Sequence, residues 1–283
     1  MIMDSQSSNS ERRAPIGVFD SGYGGLTILE KIRNRLPEYD YIYLGDNARA
    51  PYGTRSFEIV YEFTLQAVKR LFDMRCRLVI LACNTASAKA LRSIQQRDLP
   101  QIDPYRRVLG VIRPTVEQVV DMTRTGHVGV FGTAGTIASN SYPLELQKLC
   151  PDIQVTGEPC PMWVPLVENH EADFDGADYF VRKYIDELIN KDPLIDTVIL
   201  GCTHYPILLP KIRQYMPKEI TIVSQGDIVA DSLADYLVRH PEMERCLSKD
   251  GECLYYTTEA ETRFSEFASL FLNEEVKALR ITL

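Results

Sequence analysis

The chain repeats one local pattern, and this repetition limits the folds that it can adopt. Residues 78–81 and 197–200 are short runs of mainly branched apolar residues, which are typical of buried strands in a parallel sheet. A small residue and a cysteine follow each run, with Cys83 in the first copy and Cys202 in the second. In an open α/β fold, ligands bind at the carboxyl ends of the parallel strands. We therefore expect both thiols to lie at strand ends that face one cleft.

A second pair of motifs repeats in the same order. Residues 16–22 read Ile-Gly-Val-Phe-Asp-Ser-Gly, and residues 128–134 read Val-Gly-Val-Phe-Gly-Thr-Ala. These motifs start 112 residues apart and the two cysteines lie 119 residues apart, which favours a duplicated α/β unit over two unrelated sheets. Strand and helix patterns alternate along the chain. The predicted fold is α/β, with two similar lobes that are each a mainly parallel sheet covered by helices. Pseudo-twofold symmetry would relate the lobes, with the site in the cleft between them.

Length, charge and hydropathy exclude several classes of protein. A chain of 283 residues can form one large domain or two moderate ones, and a net charge of -8 argues against nucleic acid or an anionic membrane as the main partner. No apolar run approaches the roughly 18 residues of a membrane-spanning helix. Residues 1–13 are polar and lack the apolar core of a secretory signal. We predict that they form a disordered tail and that the protein is cytoplasmic.

The cysteines and histidines favour free thiols and no metal site. Seven cysteines is an odd number, and without a secretory signal this argues against a disulfide framework. No Cys-x-x-Cys pair occurs, which excludes the usual thioredoxin and zinc-ribbon motifs. The four histidines are dispersed, and His204 is only two residues from Cys202, which is a weak metal-binding pattern. We therefore predict that no metal is bound.

Residues 20–25 form a glycine-rich segment between a predicted strand and a predicted helix. The glycines at positions 22, 24 and 25 leave backbone N–H groups free for close contact with an anion. Their spacing differs from the G-x-G-x-x-G motif of dinucleotide-binding proteins. Asp20 has two interpretations, since it could cap the helix or place a carboxylate in the cleft beside a thiol.

Cys83 and Cys202 are candidates for acid–base chemistry. Free cysteines usually only pack in cores, but these two precede polar residues at strand ends. A helix N-terminus lowers the pKa of a thiol from its ordinary value of about 8.5, so we predict that each can act as a base near neutral pH. His204 is close enough in sequence to be the acid–base partner of Cys202.

Four threonines follow or precede these strand ends. Their hydroxyls and neighbouring N–H groups could hold a carboxylate, or they could cap helices, and one residue can do both. We predict that they contribute to the cleft; they are Thr85, Thr133, Thr136 and Thr203.

Taken together, these segments resemble the glutamate racemases of the cofactor-independent aspartate/glutamate racemase superfamily. The resemblance covers essentially all of the chain after residue 13. The matching motifs are Phe19-Asp20-Ser21-Gly22-x-Gly24-Gly25, Gly45-Asp46-x-x-x-x-Pro51-Tyr52-Gly53, Ala82-Cys83-Asn84-Thr85-Ala86-Ser87, Leu166-Val167-Glu168 and Gly201-Cys202-Thr203-His204-Tyr205-Pro206. Two departures are Arg113, where many members carry a glutamate, and Ala50, where a bulkier residue is common.

The resemblance implies a reaction that moves the α-proton of glutamate from one face of the carbon to the other. Cys83 and Cys202 would be the two acid–base residues, one as thiolate and the other as thiol. Asp20 would assist Cys83, and His204 and Glu168 would assist Cys202. The substrate-binding residues would be Asp20-Ser21, Tyr52-Gly53, Asn84-Thr85 and Thr203-His204.

The resemblance also implies the organisation of the protein and its role. The first lobe would comprise residues 14–110 and 220–283, because the C-terminal segment returns to it, and the second lobe residues 111–219. The protein would be a homodimer that needs no cofactor and supplies D-glutamate for peptidoglycan.

Three other functions agree with part of the sequence. An aspartate racemase would keep both thiols and differ only in the pocket. A non-catalytic amino-acid-binding protein would also have two lobes, but it would leave the paired thiols unexplained. A thiol-redox protein would form a disulfide between Cys83 and Cys202.

Overall fold

Strands and helices alternate along the chain, as the apolar runs predict. The computed structural model describes residues 13–272 and 274–283, so the tail predicted at residues 1–13 lies outside the described residues except for its last one. The first part of the chain contains β1 (Ile16–Asp20), α1 (Leu26–Arg35), β2 (Tyr41–Gly45), α2 (Phe57–Asp73), β3 (Leu78–Leu81), α3 (Asn84–Lys89), α4 (Leu91–Ser93), α5 (Leu99–Ile102) and β4 (Arg107–Gly110).

The rest of the chain continues the alternation. The middle part contains α6 (Ile112–Met122), β5 (His127–Gly132), α7 (Ala134–Ala138), α8 (Ser141–Leu149), β6 (Gln154–Pro159), α9 (Trp163–Glu168), α10 (Asp175–Lys191), β7 (Thr197–Gly201), α11 (Leu209–Tyr215) and β8 (Thr221–Val223). The C-terminal part contains α12 (Gln225–Arg239), α13 (Pro241–Glu244), β9 (Cys253–Thr257), α14 (Glu261–Leu272) and β10 (Ala278–Arg280). None of these described helices has the length and apolar content needed to cross a membrane.

Two parallel sheets confirm the predicted α/β fold with two lobes. The six-stranded sheet has the order β10-β9-β2-β1-β3-β4, and the four-stranded sheet has the order β6-β5-β7-β8. Every pair of neighbouring strands in both sheets is parallel. The order β2-β1-β3-β4 in one sheet matches β6-β5-β7-β8 in the other, which is the arrangement that a duplicated unit requires. The first lobe extends this unit with β9 and β10.

The structure differs from the predicted lobe boundary at one strand. The prediction assigned residues 220–283 to the first lobe, but β8 pairs with β7 in the four-stranded sheet. A helical connection between two neighbouring parallel strands explains this, because consecutive strands of a βαβ unit usually pair. The chain therefore crosses back at the start of α12, whose residues Val229 and Leu233 share a core with Leu29 and Ile32 of α1.

The six-stranded sheet is covered on both faces. Ile16 and Val18 of β1 belong to the core under α1 and α12, whereas Phe19 belongs to the core under α2. Both faces of the central strands β1, β2 and β3 are therefore buried, which is why these strands appear in the sequence as nearly continuous apolar runs. Polar side chains are then left for the carboxyl ends of the strands, where the loops of the two lobes face each other.

Candidate active site

The two cysteines occupy equivalent places in the two lobes. Cys83 follows β3 and is the N-cap residue of α3, and Cys202 directly follows β7. β3 and β7 are the matching third strands of the two repeated units. Both side chains are buried, with 5% of Cys83 and 7% of Cys202 exposed. The duplicated backbone therefore delivers one thiol from each lobe to the same region.

Cys83 lies among a hydroxyl, a backbone N–H and a carboxylate. Its Sγ is 3.4 Å from Ser21 Oγ and accepts a hydrogen bond from Ala86 N at 3.5 Å. Burial, followed by the negative charge of Asp20, raises the pKa of Cys83 to about 12. This differs from the lowered pKa that the helix N-terminus predicted, because desolvation of a fully enclosed thiolate outweighs the backbone dipoles. Cys83 is thus a protonated thiol at neutral pH.

Asp20 ends β1 and points into the site. Its Oδ2 accepts a hydrogen bond from Gly22 N at 2.9 Å, while its buried Oδ1 has no partner among the described residues. Burial raises the pKa of Asp20, and the nearby His204 acts in the opposite direction. A buried carboxylate oxygen without a donor is costly, so this atom is suited to receive a cationic or N–H group of a ligand.

Cys202 is accompanied by an imidazole and a second carboxylate. Its Sγ is 3.8 Å from His204 Nδ1, and His204 Nε2 is 3.0 Å from Glu168 Oε1 at the end of α9. Burial alone would lower the pKa of His204, but its hydrogen bonds to Cys202 and Glu168 outweigh burial and raise the pKa to about 10. His204 is therefore an imidazolium at neutral pH, held between a sulfur and a carboxylate.

The glycine-rich loop after β1 meets the Cys202 segment at very short range. A Cβ atom on Gly24 would lie 2.5 Å from His204 Nδ1 and would also overlap Thr203 Oγ1. A Cβ atom on Gly22 would touch Glu168 Oε1 at 3.4 Å. Position 24 therefore has no room for a side chain, because the loop of one lobe packs directly on the acid–base residues of the other.

A cluster of three hydroxyls joins the lobes on the other side of the site. Thr85 Oγ1 of the first lobe lies 2.9 Å from Thr133 Oγ1 and 3.2 Å from Thr136 Oγ1 of the second, and these two lie 3.1 Å apart. Gly53 packs against Thr133 and accepts a hydrogen bond from Gly135 N at 2.8 Å. Thr203, the fourth threonine of the prediction, lies apart from them, where its carbonyl accepts from Thr27 Oγ1 at 3.1 Å.

Two of the residues predicted to bind substrate direct their side chains elsewhere. The hydroxyl of Tyr52 donates to Asp46, and its ring packs against Phe19 and Phe63.

The second is Asn84, whose two amide atoms are both engaged. Its Nδ2 donates to Gln225 at 2.6 Å and its Oδ1 accepts from Tyr142 at 2.7 Å. Gln225 and Tyr142 were not predicted as part of the site, because both are far from the motifs in sequence and no local pattern indicates them.

No metal centre is evident in the part of the chain that the structure describes: it contains no group of three or more histidine, cysteine, aspartate or glutamate side chains that could hold an ion.

A groove of about 730 Å³ lies between α4, α6 and α12, and neither Cys83 nor Cys202 lines it. Arg113 lines this groove and pairs with Glu117 at 2.8 Å, away from the thiols. The thiols are thus enclosed between the lobes, apart from the open groove.

Comparisons with known proteins agree with the family resemblance of the sequence motifs. The profile of the Asp/Glu/hydantoin racemase family matches residues 17–233. A curated glutamate racemase from Ruegeria sp. (strain TM1040) is 40% identical over 271 residues, covering 92% of this chain and 97% of its own. A solved glutamate racemase from Bacillus anthracis is 34% identical with a TM-score of 0.87, covering 95% of this chain and 98% of its own.

A second solved relative contains a bound amino acid. The glutamate racemase of Francisella tularensis in complex with D-glutamate is 32% identical, with a TM-score of 0.84 over 95% of this chain and 98% of its own. The aspartate racemase of Picrophilus torridus is only 16% identical, with a TM-score of 0.52 over 79% of this chain and 94% of its own. The likeness to that protein is one of fold.

Proposed function

The chain belongs to the Asp/Glu/hydantoin racemase family, and we propose that it interconverts L- and D-glutamate by proton transfer between the substrate and two cysteines. It is an amino-acid racemase, and its relatives of high identity are glutamate racemases. The two-cysteine mechanism rests on one observation: Cys83 and Cys202 lie at equivalent strand ends of duplicated lobes that face each other. Inversion at a carbon needs a proton acceptor on one face and a proton donor on the other.

In the proposed reaction, the thiolate of one cysteine takes the proton from the α-carbon as the C–H bond breaks. The electron pair stays on the substrate as a planar carbanion, and the thiol of the other cysteine donates its proton to the opposite face. The two cysteines exchange roles in the reverse direction. The protonated Cys83 and the imidazolium of His204 beside Cys202 match a state in which Cys202 is the base and Cys83 the acid.

The surrounding residues would bind and orient glutamate. We assign the free Oδ1 of Asp20 to the substrate ammonium, with Ser21 and Thr203 beside it. The backbone around Gly53, the N–H groups of Asn84 and Thr85, and the hydroxyls of Thr133 and Thr136 would hold the two carboxylates. Tyr52 would support this segment through Asp46. Because the thiols are buried, the lobes would have to separate to admit substrate and close to exclude water.

The test follows the α-proton in deuterated water. Wild-type protein given L-glutamate should produce D-glutamate with deuterium at the α-carbon, while early in the reaction the remaining L-glutamate keeps its proton. Cys83→Ala and Cys202→Ala should both abolish racemisation, and Cys150→Ala, a cysteine outside the site, should leave it unchanged. Racemisation that survives in both Cys83→Ala and Cys202→Ala would overturn the two-cysteine mechanism.

Parallel assays separate the other functions. Faster α-proton exchange with L-aspartate than with L-glutamate would indicate an aspartate racemase. Binding of glutamate without exchange would indicate a binding protein. A loss in mass of two hydrogen atoms when a mild oxidant takes two electrons, mapped to a disulfide between Cys83 and Cys202, would indicate a redox role.

The cellular role is a further part of the proposal. A cytoplasmic homodimer that supplies D-glutamate for peptidoglycan should rescue a bacterium that requires D-glutamate, and it should sediment as a dimer. The proposed reaction uses neither pyridoxal phosphate nor metal, so dialysis against a chelator should leave the rate unchanged. Failure to rescue by an active, expressed protein would contradict the role in peptidoglycan.

A further inference from the structure

The chain crosses between the lobes twice, and a buried polar network lies where the crossings meet. The first crossing runs from β4 through Val111 into α6, and the second runs from β8 into α12. Gln225 is the first residue of α12, and its Nε2 donates to Thr115 Oγ1 of α6 at 2.9 Å and lies 3.4 Å from the carbonyl of Val111. One side chain therefore connects both crossing segments.

The same side chain completes a closed ring of hydrogen bonds with two other residues. Asn84 Nδ2 donates to Gln225 Oε1 at 2.6 Å, and Gln225 Nε2 donates to the Tyr142 hydroxyl at 2.9 Å. The Tyr142 hydroxyl donates in turn to Asn84 Oδ1 at 2.7 Å. Each of the three residues is only 2% exposed. Within the ring, each residue donates one hydrogen bond and accepts one. Loss of any member therefore leaves buried polar atoms of the other two without partners.

The ring bears on the reaction because Asn84 is the residue that follows Cys83. Cys83 caps α3, and Asn84 is the first residue of that helix. Tyr142 belongs to the second lobe and Gln225 to the second crossing, so the ring fixes the start of α3 against both. The corresponding residue after Cys202 is Thr203, which takes part in no such ring among the residues that the structure describes. Its carbonyl accepts from Thr27 and its side chain packs against Gly24.

We propose that Gln225 is a positioning residue that acts through Asn84 to hold the Cys83 thiol in line with the α-carbon. This inference rests on the proposed function and deepens it. It implies that a fault in the ring slows proton transfer to and from Cys83 while leaving transfer at Cys202 unchanged. A general loss of folding would instead affect both thiols.

The decisive experiment uses the variant Gln225→Met. It measures the primary kinetic isotope effect on racemisation when the substrate is α-deuterated L-glutamate and, separately, α-deuterated D-glutamate. Methionine keeps the length of the side chain and removes all its hydrogen bonds. We expect kcat to fall about tenfold to a hundredfold, since misplacing a reacting group by about 1 Å costs this much. The isotope effect should rise for the enantiomer that Cys83 deprotonates and fall for the other, because reprotonation by Cys83 then limits the rate. Cys83→Ala identifies the first enantiomer as the one that no longer exchanges its α-proton.

Tyr142→Phe provides a second variant with smaller changes in volume, and it should move the two isotope effects in the same opposed directions. Combined with Gln225→Met it should add little, because either change opens the same ring. Gln95→Met is the matched control, since Gln95 donates to the carbonyl of Val108 within the first lobe. Isotope effects that stay unchanged or move together in both ring variants would overturn the positioning role. Absence of α-proton exchange in the wild type would instead contradict the proposed function.

Discussion

The surroundings of the two thiols differ, although their backbones are equivalent. Cys83 has a hydroxyl and the carboxylate of Asp20 near it, and burial keeps it protonated. Cys202 has the imidazolium of His204, which is itself held by Glu168. The repeated α/β unit thus accounts for where the two sulfurs lie, whereas the loops of each lobe determine which groups surround each sulfur. Such asymmetry suits a chiral substrate, whose two faces present different groups to the two bases.

Substitution of His204 and of Asp20, the residues that accompany Cys202 and Cys83, tests this difference most strongly. His204→Gln and Asp20→Asn should each lower kcat about 10²- to 10³-fold, the range expected for loss of an acid–base partner. At saturating substrate, where weaker binding of the ammonium by Asp20 no longer limits the rate, Asp20→Asn should impair α-proton exchange mainly where Cys83 is the base. His204→Gln should impair it mainly where Cys202 is the base. The measurement is the rate of α-proton loss from each enantiomer in deuterated water. Equal losses for both enantiomers in both variants would show that the two surroundings are not specialised.

A smaller effect is expected where the lobes touch. Gly24→Ala adds a methyl group that would lie 2.5 Å from His204 Nδ1, so closure should displace His204 and leave Asp20 in place. We expect about a tenfold loss of kcat, in keeping with a misplaced catalytic group, and greater loss for the enantiomer that Cys202 deprotonates. Gly176→Ala is the control, since a Cβ atom there has no neighbour within 4 Å among the described parts of the chain. A fully active Gly24→Ala variant would contradict the closed geometry.

The pH dependence of the free energy of unfolding should also distinguish the surroundings of the two thiols, and its effects are expected to be the smallest of those predicted. The pKa of His204 is raised to about 10 from its unfolded value of about 6.5, so its contribution to stability is complete below pH 6.5 and disappears as the pH rises to 10. The raised pKa of Cys83 acts in the same sense, but only above about pH 8.5, where an unfolded thiol ionises.

Urea unfolding between pH 6 and 10 measures both contributions. His204→Gln should flatten the fall in the free energy of unfolding between pH 6.5 and 8.5, and Cys83→Ala should change it only above 8.5. An unchanged slope in His204→Gln below pH 8.5 would contradict the protonated His204.

The sequence predicted the repeated strands well because each is buried on both faces. The runs at β3 and β7 contain only apolar residues apart from Thr197, and the structure places them at matching positions of two sheets. β6 is different, because its residues 154–159 include Thr156, Gly157 and Glu158 and contain no apolar run that would predict a strand. Pairing with β5, rather than local preference, makes that segment a strand.

The residues of the site also fall into those that the sequence predicted and those that only the fold brings together. Cys83, Cys202 and His204 were recognisable because they follow strand ends within short motifs. The partners of Asn84 were not, because Gln225 is 141 residues away and Tyr142 is 58 residues away along the chain. Only the folded crossing of the chain between the lobes brings these residues together. Burial also raises the pKa of Cys83, in the opposite direction to the prediction, because the sequence indicates a helix N-terminus but gives no measure of burial.

The most direct test of the two-sided mechanism is α-proton exchange by single-cysteine variants. Cys83→Ala and Cys202→Ala are each incubated with L-glutamate and, separately, with D-glutamate in deuterated water, and the α-proton is followed by NMR. The account predicts that each variant exchanges one enantiomer without inverting it, and that the two variants exchange opposite enantiomers. Exchange of the same enantiomer by both variants, or of both enantiomers by either one, would contradict it.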